Sequence, residues 1–243
     1  MRKTRVYIRT GLTLNEPVKL DREATHHLLN VLKIRNGQII HAFDGSGGYY
    51  ESEIMVENKK SLTILPGIFV EDNRESPLRI TLLQALTKGQ KMDYIIQKSV
   101  EVGVYRIVPL MTEFSNVKLD QDRIDNRLQH WRKIIIAACE QCGRNILPEI
   151  SPPTELDEWI KLDENSTRII LIPVQGRSIE EIKNKDGNMT LICGPEGGLS
   201  DGEVDICINA GYQALTLGPR VLRTETAAVA GLVICQSNWG DMH

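Results

Sequence analysis

Apolar residues in the first 70 positions recur at short, strand-like spacings around a single helical stretch. TRVYIR reads as a strand. Asp21 stands where a helix would begin, with Leu28, Leu29, Val31 and Leu32 on its inward face, and Gly37 follows its end. QIIHAF and YYESEIMV flank DGSGG, whose glycines suit a hairpin turn, and SLTILPG supplies a further strand. This pattern predicts a small β-barrel-like domain. EDNRESP (71–77) is polar, ends in proline and reads as a linker.

From Leu78 onward strands alternate with helices. LRITLLQAL and RIVPL are strand-like runs around a helix from Asp93 to Val102, whose Ile95, Ile96, Ser99 and Val100 share one face and whose stop is Gly103. A longer helix is predicted from about Asp122 to Cys142, with Gly143 after it. A Pro-containing strand segment and a helix from Thr154 come next. Such β/α alternation predicts an α/β fold with a parallel sheet and helices on both faces.

Three later apolar runs each end in a glycine-containing loop: IILIPVQG, TLICGPEGGLS and ALTLGPRVLRTETAA. In open α/β sheets, ligands sit outside the carboxyl ends of neighbouring strands, so three such loops together predict one pocket. Ser200 and Glu203 have the S-x-x-E spacing of a capping box, which starts a helix near Asp201 that stops at Gly211. Thr224 is the predicted N-cap of a last helix running from Glu225 to Gln236. Arg223 lies beside that helix start, where a cation invites an anionic or electron-rich group. Neither G-x-G-x-x-G between strand and helix nor a G-K-[ST] loop is present, which argues against a dinucleotide or triphosphate.

Composition adds little to this picture, and charge adds a location. The 243 residues are 41% hydrophobic, enough for one large or two modest domains, and the net charge of −3 shows no global affinity for polyanions. Residues 1–35, however, carry eight Lys/Arg against three acids. That local excess suits phosphate contacts. No apolar run approaches the roughly 20 residues of a membrane span, and MRKTRVYIRT lacks a signal-peptide core, so a cytoplasmic protein is expected. The five cysteines fit reduced thiols. Cys139 and Cys142 form the only C-x-x-C, without a second ligand pair, so no metal is expected.

GPEGGLS followed by LGPRVLRTETAA resembles the signature of the SPOUT-class RNA methyltransferases, specifically the bacterial 16S ribosomal RNA (uracil-N3)-methyltransferases. KMDYIIQKSVEVGV (91–104), PLMTEFSNVKL (109–119), WRKIIIAACEQCGR (131–144), HHLLNVLKIRNGQ and FDGSGG also resemble that family, nearly end to end. The resemblance implies a PUA-like RNA-binding domain over 1–72 and a SPOUT methyltransferase domain over 73–243, the latter threading a deep trefoil knot. It also implies a homodimer acting on 16S rRNA of the small ribosomal subunit. Asn30 and Lys33 stand where the family commonly has arginines.

By the same resemblance, S-adenosylmethionine would be held by Ile172 and Pro173 in the first loop and by Cys193, Gly194, Pro195 and Gly197 in the second. Leu217, Gly218, Leu222, Thr224 and Thr226 would hold it from the third. Uridine N3 must lose a proton to become nucleophilic, which throws charge onto the pyrimidine oxygens. Arg223 is the candidate for stabilising that charge, and Glu196, the carboxylate of GPEGG, for accepting the proton. Arg2, Arg5, Arg9, Arg22, Lys33 and Arg35 are the candidates for RNA contact. The runner-up is an RNA-binding ribosome-assembly factor that keeps the fold without transferring methyl groups.

Overall fold

The computed structural model describes residues 3–58, 60–115, 121–162, 167–184 and 187–243. They divide into two units, one of residues 1–75 with 139–147 and one of residues 76–138 with 148–243.

In the first unit, β1 (Arg5–Tyr7), β2 (Val18–Lys19), β3 (Ile39–Phe43), β4 (Gly48–Asn58) and β5 (Ser61–Glu71) form a sheet in the order β1-β3-β4-β5-β2. The β3–β4 hairpin turns through Gly45 and Gly47, both at positive φ, as the DGSGG pattern predicts. Asp44 braces the turn by accepting from the Ser46 and Leu12 backbone N–H groups. Alternate residues of these strands (Val6, Ile40, Ile54, Ile64) point into one core with Leu28.

The helical stretch departs from expectation. Asp21 does cap α1 (Arg22–His26), accepting from the Ala24 N–H at 2.8 Å. The helix then widens into a π-type turn over His27–Val31, closed by the bond from Leu32 N–H to His27 O. The extra residue in that turn rotates the later side chains about the helix axis, so Leu28 is buried while Val31 and Leu32 are exposed.

The polar 71–77 segment is not a free tether. Glu75 pairs with the buried Arg144, and the Asp72 carbonyl accepts from Asn145. Glu140, another polar residue near the end of the long helix, accepts from the Tyr7 N–H at 3.0 Å, and its burial raises its pKa against that hydrogen bond. Glu140 and Arg144, polar residues at and just after the end of the long helix, are thus both engaged within the first unit.

The second unit begins with β6 (Arg79–Ala85), α2 (Lys91–Glu101), β7 (Arg106–Met111) and α3 (Gln121–Cys142), whose last turn belongs to the first unit. Next come β8 (Glu149–Ile150), β9 (Thr154–Glu155) and α4 (Leu156–Leu162). Thr154 therefore starts a short strand beside β7, and the helix begins two residues later. After β10 (Thr167–Leu171) and β11 (Asn188–Cys193) come α5 (Asp201–Asn209), β12 (Gln213–Leu215) and α6 (Thr224–Trp239). All strand pairs are parallel, in the order β12-β10-β11-β6-β7-β8, with β9 also on β7. This is the α/β architecture expected.

Two helices show how closely the pattern is obeyed. Met92, Ile95, Ile96, Ser99 and Val100 are the buried face of α2. The small residues of α6 let it lie on the sheet of its own unit: a Cβ at Gly231 would come within 2.9 Å of Leu171 Cδ1. No helix among the described residues is long and apolar enough to cross a membrane.

Candidate active site

Because β10 pairs in parallel with both β11 and β12, the loops that leave these strands emerge side by side at one edge of the sheet. Two threonines stitch them together. Thr216 Oγ1 accepts from the Gly176 N–H at 2.8 Å and donates to Ile172 O at 3.2 Å, closing the first loop on the third. Thr224 Oγ1 donates to Gly194 O at 2.7 Å and accepts from the buried Gln84 Nε2 at 3.1 Å, closing the third loop on the second.

Within the GPEGG loop, a Cβ added at Gly194 would lie 3.1 Å from Leu199 Cγ and 3.2 Å from Leu199 N. A side chain there would press on Leu199, which would have to give by a few tenths of an ångström. Ser200 caps α5 as its spacing predicts: it accepts from the Glu203 N–H while Glu203 accepts from the Ser200 N–H.

The loops and the start of α2 enclose a cavity of about 520 Å³. That size falls in the range of small-molecule sites. Of the sequence candidates, Pro173, Gly194, Pro195, Glu196, Gly197, Leu222, Arg223 and Thr224 line it. Ile172, Cys193, Leu217, Gly218 and Thr226 are not in its wall. Ile172 directs its backbone to Leu215 and Thr216. The buried Cys193 thiol donates to Thr224 O, and burial pushes its pKa up to about 12, so it stays neutral.

Sequence reasoning missed Gly198, Val221 and Lys91, which also line the cavity. Gly198 and Val221 sit inside the quoted motifs. Lys91 lies far upstream, at the head of the family-like KMDYIIQKSVEVGV stretch and two residues ahead of the predicted helix start, so no loop motif points to it.

Arg223, not Thr224, is the N-cap residue of α6, and its side chain makes no capping bond. The reason is the Thr224 hydroxyl, which is taken by Gly194 and Gln84 instead of by the helix amides. Arg223 is exposed, and its guanidinium has no hydrogen bond or ion pair to a described residue. Glu196 accepts from Lys91 Nζ at 2.8 Å. Burial alone would raise the Glu196 pKa, but Lys91 and backbone N–H groups outweigh it and hold the carboxyl below its ordinary value. Glu225 Oε2 is buried with no hydrogen-bond partner among the described residues.

In the first unit, Arg9, Arg22, Lys33 and Arg35 are exposed, and Arg2 lies outside the described residues, as do positions 116–119 of the family-like stretch. Arg5 is only 9% exposed. Its guanidinium donates to Asn145 Oδ1 and Arg144 O and lies 5.0 Å over the Phe43 ring. These contacts give it an internal role.

A parallel sheet with a glycine-loop cavity at its carboxyl edge, preceded by a β-rich unit, is a design shared with known proteins. The family model for an RNA methyltransferase domain matches residues 74–236, and that for an RNA methyltransferase PUA domain matches residues 20–66. The chain belongs to this RNA methyltransferase family, among proteins named ribosomal RNA small subunit methyltransferase E.

One such relative, from Buchnera aphidicola (subsp. Schizaphis graminum), is 36% identical over 98% of this chain and 97% of its own. A methyltransferase of Legionella pneumophila, solved with the bound cofactor SAM, superposes with a TM-score of 0.96 at 38% identity, over 99% of this chain and 100% of that one. The ribosomal RNA small subunit methyltransferase E of Neisseria gonorrhoeae, bound to S-adenosyl methionine, gives a TM-score of 0.92 at 35% identity over 100% of both chains.

Proposed function

We propose that the protein is an S-adenosylmethionine-dependent methyltransferase that methylates N3 of a decoding-region uridine in the 16S rRNA of the small ribosomal subunit. The observation that carries this reading is the cavity itself. It joins a glycine-loop cradle to an exposed, unengaged Arg223 in a chain closely similar to two structures that hold the cofactor.

The residues present fit the cofactor. A cavity of about 520 Å³ walled by backbone at Gly194, Gly197 and Gly198 leaves main-chain groups to read a base, and Leu222 and Pro173 offer apolar contact. Ile172, Cys193, Leu217, Gly218 and Thr226 hold the loop ends that shape it. When bound, S-adenosylmethionine supplies the methyl group, its C–S bond breaking as the N3–C bond forms. The protein's part is alignment and charge. Arg223 donates to a pyrimidine oxygen as negative charge develops there, with a fork of donors that cannot deprotonate. Glu196, held ionised by Lys91, accepts the N3 proton and passes it to water.

The same reading assigns residues 1–72 as the PUA-like RNA-binding domain, with Arg2, Arg9, Arg22, Lys33 and Arg35 as its candidates for phosphate contact. It assigns 73–243 as the SPOUT domain with its trefoil knot. The working form is a cytoplasmic homodimer.

Primer extension tests it. An N3 methyl removes the donor that pairs uridine with adenine, so reverse transcriptase should stop at the target on cellular 16S rRNA. The stop should vanish on deletion of the gene and return with the purified protein and S-adenosylmethionine. A stop that persists after deletion would end the assignment.

A further inference from the structure

One cation in the cavity wall has no part in the proposed chemistry beyond holding Glu196. Lys91 opens α2 and shares the cavity with Arg223 and the GPEGG loop. Its Nζ donates to Glu196 Oε1 at 2.8 Å, and the two side chains remain 37% and 40% exposed. An ion pair so open to water contributes little to folding. Its position therefore calls for a reason other than stability.

The balance of charge in the wall points to one. The lining residues include two cations, Lys91 and Arg223, and one carboxylate, Glu196. Both cations also stand at the N-terminal ends of helices of 11 and 16 residues, whose unsatisfied amides add positive potential. The cavity is thus poised for an anion. S-adenosylmethionine carries one carboxylate, but with its sulfonium and ammonium it is cationic overall and does not explain a net positive excess. A uracil that has lost its N3 proton does, and its charge is shared by two oxygens, one on each side of N3. A single guanidinium at one of them leaves the other without a charged donor.

We propose that Lys91 is that second donor: its ammonium leaves Glu196 Oε1 for a uracil oxygen as the N3 proton moves to Glu196. This rests on the N3-methylation reading. The electron pair of the N3–H bond becomes the pair that forms N3–CH3, while the C–S pair departs on sulfur with S-adenosylhomocysteine. The proton neutralises Glu196, which then loses it to water. Protonation of the carboxylate removes the partner that held Lys91, so the ammonium is released at the moment charge appears on the base. Glu196 and Lys91 act as one exchange unit, and Arg223 supplies fixed charge from the other side of the ring.

The test compares wild type, Lys91→Ala and Lys91→Arg on small subunits reconstituted with ordinary rRNA or with rRNA transcribed from 5-fluorouridine triphosphate. Fluorine at C5 makes the imide more acidic and lessens the need for charge stabilisation. Lys91→Ala should lower kcat by about 10²–10³-fold on ordinary rRNA. Its melting temperature and its calorimetric affinity for S-adenosylmethionine should match wild type. The defect should shrink by at least tenfold on the fluorinated substrate, and Lys91→Arg should recover much of the rate.

Near-wild-type turnover by Lys91→Ala would overturn the proposal. So would an equal defect on both substrates, which marks a structural role, or a parallel loss of cofactor affinity, which makes Lys91 a cofactor ligand. A wild type that forms no N3-methyluridine at all would overturn the parent reading and this inference with it; product from wild type with an unimpaired Lys91→Ala overturns the inference alone.

Discussion

The Thr224 hydroxyl donates to the Gly194 carbonyl at 2.7 Å, which ties the first turn of α6 to the GPEGG loop. Gln84 Nε2 completes the arrangement from β6, so one buried side chain links three elements around the cavity. Thr224→Val keeps the shape but removes both bonds, leaving the part-buried Gly194 carbonyl without its hydroxyl donor and the buried Gln84 amide with only its bond to Ala85 O. A loss of about 1–3 kcal/mol in denaturant unfolding is expected, together with weaker S-adenosylmethionine binding by calorimetry. Thr224→Ser should stay close to wild type in both measurements.

Arg223 engages no described side chain, so its removal should cost the fold nothing. Arg223→Ala is expected to melt like wild type and to lose about 10²–10³ in kcat, the scale for one preorganised donor to developing charge. Turnover within a few-fold of wild type would take Arg223 out of the mechanism.

Gly194→Val acts on the loop before it acts on the ligand, because the new Cβ meets Leu199 first. Both the melting temperature and the cofactor affinity should fall. An unchanged melting temperature with lost affinity would mean that the side chain instead enters the cavity.

Burial pushes the thiols of Cys139, Cys193, Cys207 and Cys235 up to about 12. A thiol reagent at pH 8 should therefore label the native protein at no more than one cysteine, Cys142, which is partly exposed. Full labelling should appear only in denaturant. Rapid modification of Cys193 in the native state would contradict the closed packing behind the cavity.

Glu140 supplies a pH dependence. Burial raises its pKa in the folded state, partly opposed by the Tyr7 N–H. A carboxyl whose folded pKa exceeds its unfolded one contributes stability below the unfolded value and loses it as pH rises through the folded value. Glu140→Gln stays neutral and can still accept from Tyr7. It should raise the unfolding midpoint at pH 7, with the gain vanishing below about pH 4, the ordinary carboxylate range.

Much of the second unit is legible in the sequence because its signals are local. The α2 face follows from a period of 3.6, the start of α5 from Ser200 and Glu203, and the side-by-side loops from strand-to-helix alternation. The features that the sequence hides depend on distant partners. Thr224 looks like a helix cap until Gly194 and Gln84 claim its hydroxyl. Arg5 reads as a phosphate contact, yet its partners Arg144 and Asn145 lie some 140 positions away. Lys91 belongs to no loop motif, and only the approach of α2 to the GPEGG loop reveals it. The π-type turn after α1 likewise leaves no mark in the periodicity, which therefore puts Val31 and Leu32 on the wrong side.

The first unit is assembled from two stretches of chain, and the second stretch, 139–147, supplies the Arg144 partner of Glu75 and the Asn145 partner of Arg5. During synthesis the amino-terminal sheet must therefore wait, with Glu75 and Arg5 unanswered, until residue 147 has left the ribosome. At about 5–20 residues per second that delay is on the order of 10 s. A nascent chain arrested before that point should show an amino-terminal unit that proteases open readily, and one arrested beyond it a unit that resists them.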